Sequence, residues 1–178
     1  MNNLCDRVLA LLNQSEEDPA FQSFIADLGD SPQLTQIEEG SEISHHMFTE
    51  LGLSLFSIDK IVLIASFHVI PDNNENGKTH PYTQDLPFGV SVNDDRTVVR
   101  AKLGQPLQSN HIGDADISES YELDGWQPVF WYSLPKEAIS EVRVMPRKLP
   151  IHELEVDDLE IAEPGSNGSG VDNAELPR

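Results

Sequence analysis

A single cysteine, Cys5, leaves no internal disulfide to be made, which fits a chain that folds in a reducing compartment. No apolar run approaches the roughly 20 residues that a membrane-spanning helix needs. The first residues, Met1 to Gln14, carry the Asp6-Arg7 charge pair and polar breaks where a signal peptide has its apolar core. The expectation is a soluble, cytoplasmic protein. Positive charge is scarce: 11 Lys and Arg stand against 31 Asp and Glu, a net charge of −20. Such a field repels nucleic-acid phosphates and anionic membranes, so neither is expected as a partner, and it steers towards basic proteins. Catalytic signatures are missing too. There is no glycine-rich phosphate loop, and Ser54, Ser91 and Ser133 lie in no Gly-x-Ser-x-Gly elbow.

What is present is a set of legible starts and stops. Leu4, Val8, Leu11 and Leu12 mark an amphipathic helix, and Asp18-Pro19 opens a second one with Phe21, Phe24, Ile25 and Leu28 on one face. Asp30 to Ser44 reads as a polar connection. His45 to Ser57 and Lys60 to Ile70 read as a hairpin turned around Ser57-Ile58-Asp59, with Ile61 to Ile64 apolar on both faces and therefore central. Phe88, Val90 and Val92 alternate as a strand. Asn93-Asp94-Asp95 then starts a helix with Val98, Val99 and Leu103 on its apolar side and Arg96, Arg100 and Lys102 on its wet side, ended by Gly104 and Pro106. Leu107 to Ser120 is again polar. Tyr121 to Leu123 and Gln127 to Leu134 should pair around Asp124-Gly125, and Ile139 to Met145 closes the sheet. From Glu153 onward eight carboxylates and a Gly-Ser run mark a disordered tail. Without it, residues 1–152 hold 23 acidic and 10 basic residues, a balance of −13, so the acidity belongs to the folded part.

The ending Leu-Gly occurs at Leu28-Gly29 and again at Leu103-Gly104, 75 residues on, and strand-like runs ending on Ser57 and Ser133 follow at a shift of 76. The expected fold class is α+β: two tandem helix-plus-antiparallel-strand units forming one curved sheet with helices on one face. The units divide as 1–70 for the N-terminal helices and first unit, 71–87 for a connecting loop, 88–152 for the second unit and 153–178 for the tail.

This pattern of a short helix ending Leu-Gly-x-Pro before three strands, used twice, resembles the beta-lactamase inhibitor protein (BLIP) family. The half-motif Gly89-Val90, Asp94, Val98, Leu103-Gly104 and Pro106 is similar to that of the small SmpA/OmlA outer-membrane assembly lipoproteins. Gly52 to Leu55 and Leu86 to Gly89 also resemble strands of uncharacterised bacterial immunity-type proteins. The chain departs from the inhibitors in having no cysteine pair, and from the lipoproteins in having no lipid-acceptor cysteine after an apolar segment. The resemblance implies a tandem BLIP-like fold and an inhibitor or immunity role towards a toxin or nuclease.

No catalytic residue, cofactor or metal set is readable. His45 and His46 point to opposite sides of a strand and cannot chelate one ion together; His46 and His68 could meet across a hairpin but lack a third ligand at the right spacing. Binding is the better-supported class. Aligning the halves places Leu53, Leu55, Val129 and Trp131 on the helix side and Ser54, Phe56, Phe130 and Tyr132 on the open face, with His68, Glu141 and Arg143 beside them. The expected partner-binding residues are Phe56, His68, Phe130, Tyr132 and Arg143, with Tyr82 in the long Pro71 to Pro87 loop. The expected protein is a non-enzymatic monomer or homodimer that occludes a basic partner. An assembly subunit is the alternative, and a small hydrolase using His68 and His80 near that loop is a third reading.

Overall fold

The Asp18 carboxylate accepts a hydrogen bond from the Ala20 N–H at 2.7 Å, and Asp95 accepts one from the Val98 N–H at 2.9 Å. Each supplies one of the acceptors that a helix start lacks. These caps begin α2 (Pro19–Leu28) and α3 (Arg96–Leu103), and α1 (Leu4–Leu9) precedes them under Asn3. The computed structural model describes residues 3–29, 32–36, 43–71, 73, 74, 77–113 and 116–148. The tail expected from Glu153 lies outside them.

The strands are β1 (Gln33–Gln36), β2 (Ile43–Phe48), β3 (Leu53–Ile58), β4 (Ile61–His68), the short pair β5 (Asn73–Asn74) and β6 (Gly77–Lys78), β7 (Gln108–Ile112), β8 (Asp116–Ser120), β9 (Trp126–Ser133) and β10 (Ala138–Pro146). Eight of them form one antiparallel sheet in the order β1-β2-β3-β4-β10-β9-β8-β7. This corrects the expected fold class. The chain is dominated by a single continuous sheet with few, short helices, and does not consist of tandem helix-plus-strand units. Two sequence readings led there wrongly. Phe88 is no strand residue: it sits at φ 63° inside a 3-10 turn, Pro87–Gly89, closed by the Leu86 N–H donating to the Val90 carbonyl. The connection Leu107 to Ser120 is the β7–β8 hairpin, and Thr49 to Gly52 turns the chain between β2 and β3.

One transverse row fixes the sheet's inner face. Phe48 pairs with Leu53, Leu53 with Phe67, Phe67 with Val142, Val142 with Phe130, and Phe130 with Glu119. All six are fully buried. Cys5 and Val8 of α1, Phe21 and Phe24 of α2 and Val99 of α3 pack into the same core, with Phe24 edge-on to Phe48 at 6.3 Å. The row settles the face assignment, since partners across a ladder share a face and a slip of one residue inverts a strand. Phe130 and Tyr132 lie inside, whereas Val129 and Trp131 lie outside. The expected open-face positions of Phe130 and Tyr132 are therefore wrong. A fixed shift of 76 matches Leu53 to Val129, whereas the ladder puts Leu53 in the row of Phe130, so that shift inverts the alternation of β9.

Glu119 ends this row as a charge in the core. Arg96 Nε donates to its carboxylate at 2.7 Å, Arg100 binds both its oxygens, and the Tyr121 hydroxyl donates at 2.8 Å. Arg96 and Arg100 are one turn apart on α3, so both reach the same point. They face the sheet, and Val98, expected on the apolar side, is exposed. Burial alone would raise the Glu119 carboxyl, but the bonds from Arg100, Arg96 and Tyr121 outweigh it and hold the pKa below the usual carboxylate value.

Two consequences can be measured by urea unfolding. Glu119→Gln should lose about 3–5 kcal/mol at neutral pH, the range for breaking one partner of a buried charge network. Since the folded carboxyl titrates below the unfolded one, the wild-type advantage is present above the unfolded pKa and should fade as the pH falls through the folded value. Phe130→Ala should cost about 3–5 kcal/mol and Phe56→Ala clearly less; equal losses would contradict the face assignment.

Candidate functional site

The outer face of the sheet is built from small residues flanked by large ones. Met47, Ser54, Ser66, Arg143, Val129 and Ser120 form one cross-strand row. His68, Glu141, Trp131 and Ser118 form a neighbouring row, and His45, Phe56 and Ile64 another. Ser54 and Ser66 are fully buried, so they make a floor between taller walls.

Each wall carries an ordered aromatic group. The His45 imidazole stacks on Phe56 with ring centres 4.0 Å apart and planes 9° from parallel. Burial first, then the positive potential of His68 and His46, pushes the His45 pKa down to about 4, so this imidazole is neutral at pH 7. On the opposite wall the Arg143 guanidinium lies 5.2 Å from the centre of the Trp131 ring. It is also held in a two-point bridge to Glu141, at 2.7 and 3.1 Å. Beside them a cleft of about 320 Å³ is lined by His68, Asp116, Trp131, Ser133 and Glu141, among others.

Among the described residues, three buried polar atoms on this face have no hydrogen-bond partner: His45 Nε2, Ser66 Oγ and Trp131 Nε1. Such atoms are few in folded proteins, because each left unpaired costs about 1–3 kcal/mol. The three are spread across the outer face, on β2, β4 and β9.

One arrangement has the look of chemistry. Ser54 Oγ lies 3.0 Å from His68 Nε2, the separation of a hydroxyl and its general base. Ser54 is fully buried, however, so a substrate carbon cannot reach it, and Glu141, paired with His68 across the ladder, is taken by Arg143. The pair crosslinks β3 and β4. Among the described residues no group of three or more His, Cys, Asp or Glu could hold a metal ion. His46 and His68 do not meet, since His46 points inward to Glu16 at 2.8 Å.

Of the expected binding residues, the structure brings Phe56, His68 and Arg143 together on the outer face. Phe130 and Tyr132 are core residues, as shown above. Tyr82 is also buried, edge-on to Phe67 at 5.1 Å, with its hydroxyl 3.1 Å from Cys5 Sγ. The segment that carries it is strapped down: the Tyr82 N–H donates to the His68 carbonyl, and the His80 N–H to the Thr49 carbonyl. Gly52 permits this, because a Cβ there would meet the backbone of His80 and Tyr82 at 2.4 and 2.5 Å. The composition of Pro71 to Pro87 suggests a contact surface, and no sequence signal marks the close approach at Gly52. Trp131, expected on the helix side, belongs to the outer face, and so does His45, whose face the sequence leaves open; the apolar-polar alternation of β10, in which Glu141 pairs with Trp131, locates Trp131.

No protein-family model matches the sequence, and no curated protein matches it. Among solved structures, the fold is similar to an extracellular protein containing an SCP domain from Bacillus anthracis. The TM-score is 0.53 and the identity 11%, over 83% of this chain and 48% of that one. The chain thus spans about half the length of that neighbour. A DUF4309 family protein (YjgB) from Bacillus subtilis is similar at TM-score 0.40 and 12% identity, over 76% of this chain and 81% of that chain. At such identities likeness speaks for fold alone. Neither is described as a beta-lactamase inhibitor, an assembly lipoprotein or an immunity protein.

The depressed pKa of His45 has a testable sign. Between the unfolded value near 6.5 and the folded value of about 4, the unfolded chain binds more protons, so stability should fall as the pH is lowered. Replacing His45 by Asn should flatten the change in urea midpoint between about pH 6.5 and 5, above the range where most carboxylates titrate.

Proposed function

We propose that the chain is a non-enzymatic, acidic protein-binding protein that occludes a basic partner, such as a toxin or nuclease, with the sheet face opposite the helices. The observation that carries this reading is the pair of ordered aromatic groups that flank the serine floor of that face, the His45–Phe56 stack and the Arg143–Trp131 pair. Rigid aromatic groups with a polar edge are the residues that dominate interface energies. A partner chain laid on this face would rest on those rings, which are already ordered before it arrives.

Charge supports the class of partner. Arg7, Lys60, Lys102, Arg143 and Arg147 are each bridged to a carboxylate, and Arg96 and Arg100 to Glu119. Seven of the eleven Lys and Arg are thus neutralised within the molecule, and carboxylates outnumber cations by 20. That surplus would accelerate encounter with a basic protein, while the aromatic groups would set how long the complex lasts. The buried Ser54 argues against hydrolysis. Cytoplasmic residence is part of the reading: Cys5, the one cysteine, is a buried free thiol that burial pushes up to about 11.

Among the described residues no helix is long and apolar enough to cross a membrane.

The test is affinity capture from a native extract with the immobilised full chain and with a Trp131→Ala, Phe56→Ala variant, followed by mass spectrometry. The expected result is one basic protein retained by the wild type and lost by the variant, with an association rate that drops roughly tenfold from low to physiological ionic strength. Equal retention by both chains, or a rate indifferent to salt, would overturn the reading.

A further inference from the structure

The sheet ends in a strand built unlike its neighbours. β7 is the last in the order, so one side of its backbone pairs with no described strand. All five of its residues are exposed, whereas β8 beside it is buried at its three central positions. Leu107, immediately before it, is 65% exposed, and Ile112 at its end is 40% exposed.

Proteins usually blunt such an edge with lysine, proline, a bulge or an inward-pointing charge. Gln108-Ser109-Asn110-His111-Ile112 contains none of these, and its five pairs with β8 run without a register shift. The edge is also held firmly. Arg96 Nη2 donates to Ser109 Oγ at 3.3 Å, and Ser109 Oγ donates to the buried Glu119 carboxylate at 3.3 Å. The charge network that fixes α3 therefore fixes the edge strand. An incoming strand would meet preordered backbone donors and acceptors, with little ordering cost on this side.

We infer that the β7 edge takes an extended, lysine- or arginine-bearing peptide strand from a partner protein by β-augmentation. Backbone bonds supply the affinity in that mode, and side chains the selectivity. The sign of the strand rests on the reading of an acidic, basic-partner-seeking protein given above; its position rests on β7 alone. A second copy of this chain is the less fitting occupant, because each copy carries −20 and the two would repel. Asp116, paired with Ile112, adds a carboxylate next to the edge.

The experiment uses the full ¹⁵N-labelled chain and two capped synthetic decapeptides, one alternating Lys and Val and the other Glu and Val. Amide hydrogen exchange is followed by NMR. The Lys-Val peptide should slow exchange at alternate amides of Gln108–Ile112 by about tenfold or more, and the Glu-Val peptide should not. Asn110→Pro should abolish the effect. Should that variant fail to fold, a Lys-Val peptide N-methylated at alternate residues should lose the effect on the wild-type chain. No slowing at β7, equal slowing by both peptides, or protection of β7 by self-association without peptide would each overturn the inference. Failure here is separable from failure of the functional reading: the Trp131→Ala, Phe56→Ala chain should retain the β7 response, while capture of a basic protein depends on the outer face.

Discussion

Glu119 is the point at which this sheet stops being an ordinary apolar layer. A carboxylate withdrawn from water costs several kcal/mol unless it is paired and hydrogen-bonded, and here Arg96, Arg100, Tyr121 and Ser109 all converge on it. These partners come from α3, β7 and the chain just after β8, and Arg96 also reaches Glu137 in the turn before β10. A one-residue slip of β8 would carry Glu119 to the outer face and strand two arginines. Replacing the whole network by apolar residues could be neutral in free energy, but it would remove that penalty on the wrong register. The charge acts as a pin for alignment more than as a source of net stability.

Much of the chain's anatomy follows from local chemistry and was legible for that reason. Asp18-Pro19 and Asp95 cap helices because a short carboxylate fits the free N–H groups of a first turn, and the structure starts α2 and α3 there. Asp59 and Lys60, both at positive φ, make the tight turn between β3 and β4 near where the sequence placed it. β4 lies between β3 and β10, as its β-branched run suggested. Other features depend on residues far apart in sequence and left no local mark. β7 and β8 are polar because one is wholly exposed and the other carries its burial on Ile117, Ser118 and Glu119, so they read as loop. The inward turn of Arg96 and Arg100 follows from Glu119, which a helix read by itself cannot reveal. Phe88 alternates with Val90 and Val92 and still forms no strand.

The binding residues illustrate the same division. Which residues share a face with Phe56 was readable within β3, but whether Phe130 or Trp131 joins them is decided by the ladder from Phe67 through Val142. That pairing joins residues far apart in sequence, so an alignment drawn at constant spacing cannot reveal it. Phe130 and Tyr132 leave the binding set for that reason, and Tyr82 for another: its segment is drawn onto Gly52 and its phenol is enclosed against Phe67 and Cys5.

The outer face and the β7 edge draw their order from different sources. Serine at positions 54 and 66 leaves room for the stacked His45–Phe56 pair and the Arg143–Trp131 pair to stand above the sheet, and the Glu141 bridge keeps Arg143 over the indole. The β7 edge is instead tied, through Ser109, to the pin at Glu119. Ser120 and Ser118 lie between them in the cross-strand rows that lead from Val129 and Trp131 to Gln108 and Asn110. A single extended partner laid against β7 would thus find Trp131 two strands inward on the same side of the sheet. One ligand could then engage both surfaces, and because each is already ordered before the encounter, the second contact would add affinity with little further loss of conformational freedom.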